Sequence, residues 1–252
     1  MIEVRNLSHV FQTPRGPFQA LAEVSLVIPE GDFVAIIGRS GAGKSTFLRT
    51  LNGLLIPSRG HVLVRGTDIT RLPKRELQKY RRRVGFIFQQ FNLVPRLSVL
   101  DNVLHGRLGY LPAWRGLLGL YTDQDYQIAR REIARLDLSS KETARVDTLS
   151  GGQQQRVAIA RAMAQEPELI LADEPAANLD PVLSEEVMRV LKRFNETLGV
   201  TVVINIHTLE LACRYARRIV AFRKGRIVFD GRPEELTEEM VDEVYERKET
   251  WA

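Results

Sequence analysis

The sequence predicts an α/β fold built on a buried parallel sheet, and three observations predict it. Phe33-Val34-Ala35-Ile36-Ile37 is a short apolar run of the kind a strand covered on both faces needs. It leads directly into Gly38-Arg39-Ser40-Gly41-Ala42-Gly43-Lys44-Ser45-Thr46, which fits G-x-x-x-x-G-K-[ST], and Phe47, Leu48, Leu51 and Leu55 follow at helical spacing. A second apolar run, Leu169-Ile170-Leu171-Ala172, delivers Asp173 and Glu174 at its carboxyl end. Strand, glycine loop and helix in that order read as a phosphate-binding loop. The glycines let the backbone curl around an anion with its N–H groups turned inward. The new helix adds the positive end of its dipole. Lys44 supplies a mobile point charge for terminal phosphates, and the Ser45 hydroxyl is placed to ligate magnesium.

A chain of 252 residues can hold one α/β domain, or one domain with a subdomain. Its 44% hydrophobic and 27% charged residues suffice for a sizeable core. No apolar stretch reaches the roughly 18–20 residues of a membrane-spanning helix, and Met1-Ile2-Glu3-Val4-Arg5 lacks the layout of a signal peptide. The expectation is a cytosolic chain. The single cysteine, Cys213, excludes an internal disulfide, and one cysteine with four histidines leaves no zinc-like ligand cluster. Much of the net charge of +5 sits between Arg71 and Arg83. That run reads first as a solvated helical face. No aromatic platform is interleaved with it, which weighs against single-stranded nucleic acid, and a place near a membrane would suit it.

Taken in order, residues 1–35 read as strands, over Met1 to Leu7 and Leu21 to Ile28, with a polar loop containing Pro14, Gly16 and Pro17 between them. Phe11 at the edge of that loop could stack on a nucleotide base or simply pack at a strand end. After the loop helix come a turn at Pro57–Gly60, a strand at His61–Val64, a basic helix from Leu72 to Arg83 and a strand at Val84–Phe88 that ends in Gln89-Gln90. Residues 91–149 change character. Leu97 to Leu104 and Asp125 to Leu138 suit amphipathic helices, and the stretch between, rich in Gly, Leu and aromatics, reads by default as the small core of an inserted helical subdomain, or else as a partner-facing patch. Leu149-Ser150-Gly151-Gly152-Gln153-Gln154-Gln155-Arg156 opens a helix that runs to about Ala164, and its start is a capped terminus that could also hold an anion. Asp173 and Glu174 stand where open parallel sheets bind ligands. One carboxylate there can hold a nucleotide's metal and the second can orient water. Asn178-Leu179-Asp180-Pro181 turns into a helix from Ser184 to Leu198, Val200 to Ile206 is a further buried strand followed by His207, and a hairpin at 218–229 and an acidic helix close the chain.

The phosphate loop at 38–46, Leu149-Ser150-Gly151-Gly152-Gln153, the acidic strand end Leu169–Glu174 and His207, in that order, resemble an ABC transporter ATPase over nearly the whole chain. The LSGGQ stretch discriminates, because many unrelated nucleotide hydrolases share the other motifs. The resemblance implies a P-loop NTPase fold of the ABC type as a single domain over 1–252, with an N-terminal antiparallel β subdomain, a helical subdomain inserted at 91–149 and a short helical tail at 231–252. It implies ATP and magnesium as ligands. Glu174 is similar to the family's catalytic carboxylate, Asp173 to its magnesium carboxylate, His207 to its switch histidine, Gln89 to its Q-loop glutamine (which joins Ser45 and Asp173 at the metal), with Gln90 as the competing register, Phe11 to its adenine-stacking aromatic and Asp180 to its D-loop aspartate, although Asn178 replaces the small residue usual there. It further implies two copies bound head to tail, with ATP on one phosphate loop meeting Ser150, Gly151, Gly152 and Gln153 of the other. The implied partners are separate membrane-spanning permease chains and, indirectly, a solute-binding protein, with no nucleic acid. The implied place is peripheral, at the cytoplasmic face of the membrane.

Within that family the resemblance is to phosphonate-import ATPases, on Asn102-Val103-Leu104-His105-Gly106-Arg107-Leu108 with Trp114 downstream, Leu171-Ala172-Asp173-Glu174-Pro175, and Asn205-Ile206-His207 leading into Leu211-Ala212. The alternatives are an ATPase of another importer, of lipoprotein release or of cell division. A DNA-repair ATPase would need long coiled-coil arms, and only about 100 residues without sustained heptads separate Ser45 from Leu149. A purely regulatory ATP-binding module would be expected to lack Glu174 or His207.

Overall fold

The computed structural model describes residues 1–177 and 179–246. Asn178 and residues 247–252 of the expected tail lie outside the described residues.

Buried Ile2 and Val4 flank the partly exposed Glu3, and buried Val24, Leu26 and Ile28 alternate with exposed Ser25 and Val27; these period-two stretches begin and end strands β1 (Ile2–Thr13) and β2 (Gly16–Ile28). The strands pair antiparallel from Ile2↔Ile28 to Thr13↔Gly16. The loop expected between Leu7 and Leu21 is therefore corrected to a continuous hairpin with a tight turn at its end. Register shifts on either side of Leu7 and His9, with Asn6 and Glu23 at positive φ, interrupt the alternation that marks a strand in sequence. Strand β4 (Arg59–Val64) adds antiparallel to β1, and β5 (Thr67–Asp68) continues it, giving the order β2-β1-β4-β5.

The second sheet contains β3 (Phe33–Ile37), β6 (Val84–Ile87), β7 (Leu169–Asp173), β8 (Thr201–Asn205), β9 (Arg218–Arg223) and β10 (Arg226–Gly231) in the order β10-β9-β3-β8-β7-β6. Every pair is parallel except β9–β10. All residues of β3, β6, β7 and β8 are buried, which is why their sequences read as apolar runs, with Asp173, Thr201 and Asn205 as polar exceptions. The pleat then sorts the side chains. Phe33, Ala35, Ile37, Ile170, Val202, Ile204 and Ile219 enter one core, and Val34, Ile36, Leu171, Val203, Val220 and Phe222 enter the other.

The second core is shared with the inner face of the first sheet and with Phe47, Leu48 and Leu51 of helix α1 (Lys44–Leu51), so α1 lies between the two sheets. The first core collects α3 (Val99–Leu104), α5 (Asp123–Arg135), α6 (Gly151–Met163), α7 (Pro181–Leu198) and α8 (Leu209–Tyr215), and the acidic α9 (Glu238–Tyr245) packs beside β9. Basic α2 (Lys74–Arg82) buries no residue. The ends are set by local chemistry. Thr122 and Asp125 form a capping box on α5, Ser150 and Gln153 form one on α6, and α7 starts with Asp180 capping Leu183 N–H and Pro181 in its first turn.

Apolar residues of α3 and α5, such as Val103, Ile128 and Ile133, belong to the same core as the helical face of the sheet. The stretch between these helices departs from its default reading as a small core. Short α4 (Ala113–Leu117) buries nothing, and Trp114, Leu117 and Leu118 are exposed. What is buried there is charge. Arg107 donates to Asp125 Oδ1 at 2.9 Å and to the Ala164 carbonyl at 2.9 Å, with both side chains of the pair under a tenth exposed. Burial alone would raise the Asp125 carboxyl pKa, but the Thr122 backbone N–H, the Arg107 guanidinium and the Thr122 hydroxyl outweigh it and hold it below the usual carboxylate range. Among the described residues no helix is long and apolar enough to cross a membrane.

Candidate active site

The chain leaves β3 through Gly38, whose φ of +140° and tight surroundings suit only glycine: a Cβ there would lie 2.3 Å from the Phe222 carbonyl oxygen. Gly43, at φ +103°, is confined in the same way by the Ala20 carbonyl, at 2.4 Å. The loop thus threads between β9 of one sheet and β2 of the other, and it enters α1 at Lys44 with the first N–H groups of the helix directed at the loop.

Lys44 is 3% exposed, and its Nζ donates to the Gly38 and Arg39 carbonyls at 2.8 and 3.0 Å. The charge expected to be mobile is tethered across its own loop. Burial pushes its ammonium pKa down, and the carboxylates of Glu174 and Asp173 partly restore it. Next along the chain, Ser45 Oγ donates to Asp173 Oδ1 at 2.8 Å, joining the phosphate loop to the end of β7. In the register of β7 and β8, Asp173 stands opposite Asn205, whose Nδ2 donates to the same Oδ1 at 2.7 Å.

Glu174 follows in the left-handed region at φ +52°, a conformation costing roughly 1–2 kcal/mol in a residue with a side chain. Its N–H donates to the Asn205 carbonyl at 3.2 Å, and its Oε1 lies 2.5 Å from Nε2 of His207. Lys44, Ser45, Asp173, Glu174 and His207, which are scattered through the sequence, therefore meet at the carboxyl edge of β3, β7 and β8.

Other expected residues stand apart. Phe11 lies inside β1 opposite Phe18, edge-on to His9 at 4.4 Å and 36% exposed. Gln89 is exposed just beyond β6. Ser150 and Gln153 bond each other in the cap of α6, Gly151 and Gly152 open that helix, and Asp180 is engaged as the cap of α7. Among the described residues no hydrogen bond ties 150–153 to the phosphate loop. Two contributors escape sequence reading. One is Asn205. The other is Arg161 of α6, which donates to the Phe91 carbonyl at 2.8 Å and to the Asn92 carbonyl, tying the helix that begins at Ser150 to the segment after Gln89. A polar residue inside the apolar run Val200 to Ile206 was the available signal for Asn205. Nothing local marks Arg161.

The donor chemistry suits a small hard cation on a nucleotide. A hydroxyl and one carboxylate converge at the loop, and magnesium characteristically takes one or two such protein oxygens and completes its shell with phosphates and water. A three-carboxylate or histidine cage is not required, and none occurs among the described residues. A cavity of about 400 Å³ lies elsewhere, lined by Met1, Arg65, Tyr80, Arg83 and Glu168.

A glycine cradle and lysine for phosphates, a metal-type oxygen pair, and a carboxylate held against a histidine at one sheet edge define a P-loop nucleoside triphosphatase. A family model described as "ABC transporter" matches residues 21–177. Similar curated proteins include the phosphonates import ATP-binding protein PhnC of Lactococcus lactis subsp. cremoris, 48% identical over 99% of this chain and 100% of that protein. The PhnC protein of Rhodopseudomonas palustris is 52% identical over 92% of this chain and 86% of its own length. Among solved structures, the dimeric bacterial ABC transporter cassette MJ0796 superposes with a TM-score of 0.83 at 36% identity, over 94% of this chain and all of that one. The ADP conformation of the cassette MJ1267 superposes with a TM-score of 0.84 at 28% identity, over 99% and 98%. The chain belongs to the ABC transporter family, as an ATP-binding and ATP-hydrolysing cassette.

Proposed function

We propose that this chain is the motor of a phosphonate importer, working as a head-to-tail pair on separate membrane permease chains at the cytoplasmic face, with a solute-binding protein delivering the solute. The observation that carries the solute class is near-full-length similarity to phosphonates import ATP-binding proteins. The observation that supports the motor chemistry is the convergence of Lys44, Ser45, Asp173, Glu174 and His207 on one edge.

In this reading the phosphate loop, residues 38–46, and the start of α1 bind the phosphates of ATP, and Lys44 exchanges its loop carbonyls for phosphate oxygens. Ser45 and Asp173, with Gln89, hold magnesium, which supplies charge neutralisation at the terminal phosphates. Glu174 orients the attacking water and accepts its proton. His207, already against Glu174, keeps that carboxylate aimed and faces the terminal phosphate. Phe11 stacks on the adenine. Ser150, Gly151, Gly152 and Gln153 of a second copy close over the nucleotide, with Asp180 beside the seam. ATP then stabilises the closed pair by mass action. Gln89 and the Arg161 clamp transmit that state to the helices of 91–149 and so to the permease.

The test is growth of a strain lacking this chain on a phosphonate as sole phosphorus source, with inorganic phosphate as control. The expected result is loss on phosphonate only, restored by the parent chain and not by Glu174→Gln. Unchanged growth on phosphonate, in a strain with no second importer, would remove the solute assignment.

A further inference from the structure

Asn205 is fully buried in β8, between apolar neighbours. Its Nδ2 donates to Asp173 Oδ1, the oxygen that also accepts from Ser45. Its backbone carbonyl accepts the N–H of Glu174, at the point where the chain turns left-handed. Its own Oδ1 has no hydrogen-bond partner among the described residues. A buried amide with one half unpaired costs stability that an apolar side chain of the same shape would not. A group kept at such a cost is expected to do something other than stabilise the fold.

The geometry points to a positioning role, and we propose that Asn205 fixes the rotamer of Asp173, so that the carboxylate is pre-set for magnesium before nucleotide arrives. This inference rests on the reading of Ser45 and Asp173 as the magnesium-holding pair. The outer torsion of an aspartate is soft, so its aim depends on what its oxygens bond. Of the two donors on Oδ1, Ser45 is itself assigned to the cation. Asn205 is the donor outside that set, and it is rigid, because β8 is hydrogen-bonded to β3 and β7 on both sides. Such supporting partners of metal-holding groups set metal affinity without touching the metal.

The test compares the parent with Asn205→Leu, which keeps the shape and removes both amide atoms. Three quantities are read: the thermal midpoint, ATP binding in excess chelator, and the magnesium concentration giving half-maximal turnover. The expected result is an unchanged or higher midpoint, unchanged metal-free ATP binding, and a magnesium requirement raised roughly ten- to a hundredfold, with turnover recovering at high magnesium. A parental magnesium requirement overturns the proposal. So does a variant that melts lower and loses metal-free ATP binding, because Asn205 would then serve the fold alone. Should Asn205→Leu not fold, Asn205→Thr, which suits a strand and is too short to reach Asp173, is read by the same criteria. Asp173→Asn is the control. If it leaves the magnesium response unchanged, the assignment of Asp173 fails and this inference falls with it. If it shifts the response and Asn205→Leu does not, only the role of Asn205 is overturned.

Discussion

Single residues carry the chemistry here because each is held by something rigid. Glu174 sits in a left-handed conformation fixed by the Asn205 carbonyl, with its carboxylate against His207. Glu174→Gln keeps the shape and removes the proposed base, so ATP binding should persist while turnover falls about a hundred- to ten-thousandfold; filter binding and phosphate release read the two separately. Parental hydrolysis in that variant would remove Glu174 from its role. Gly38 is limited by the Phe222 carbonyl rather than by the ligand. In Gly38→Ala the new methyl must displace β9 or the loop, so the variant should lose roughly 1–3 kcal/mol of stability and about a hundredfold in turnover. A parental melting curve would contradict that packing. The phosphate loop was legible because its signature is local: it is written in nine consecutive residues. Asn205 was not, because its partner Asp173 lies one strand away in a register that no short window of sequence contains.

At the scale of elements, the amphipathic pattern of α5 and the cap of α6 at Ser150 were readable, since a helix start is written in four residues; the Thr122 cap, which starts α5 at Asp123 rather than at the expected Asp125, was not. The hairpin β1–β2 was read too short because its bulges break the alternation. Between α3 and α5, Leu108, Leu117, Leu118, Leu120 and Trp114 are exposed and Arg107 is buried, the reverse of what composition suggests. The buried Arg107–Asp125 pair yields a prediction at this scale. Removing one partner strands a charge, so Arg107→Leu should cost about 3–5 kcal/mol. The pair also sets a pH dependence. Because the folded pKa of Asp125 is depressed, its contribution is complete above about pH 4 and is lost as pH falls through the folded value. The variant should therefore lose less stability than the parent between neutral pH and acid. Denaturant midpoints at several pH values check both statements, and parallel acid limbs would contradict the second.

For the whole molecule, no hydrogen bond among the described residues joins 150–153 to the phosphate loop within one chain, and the proposed head-to-tail pair would bring the two together. Ser150→Arg should leave ATP binding of the single chain intact and block hydrolysis. Mixed with Lys44→Ala, it should regain turnover, since one of the two composite sites in the mixed pair is then free of both changes; mixtures as inactive as either variant alone would exclude sites shared between copies.

The position of β3 in its sheet has a consequence for synthesis. Both of its neighbours, β8 and β9, come from beyond residue 200. As the chain leaves the ribosome at roughly 5–20 residues per second, an apolar strand and its phosphate loop wait on the order of ten to forty seconds with both edges bare. Nascent chains stopped short of β9 should thus depend on a chaperone, and should be unable to hold ATP, until β8 and β9 have emerged.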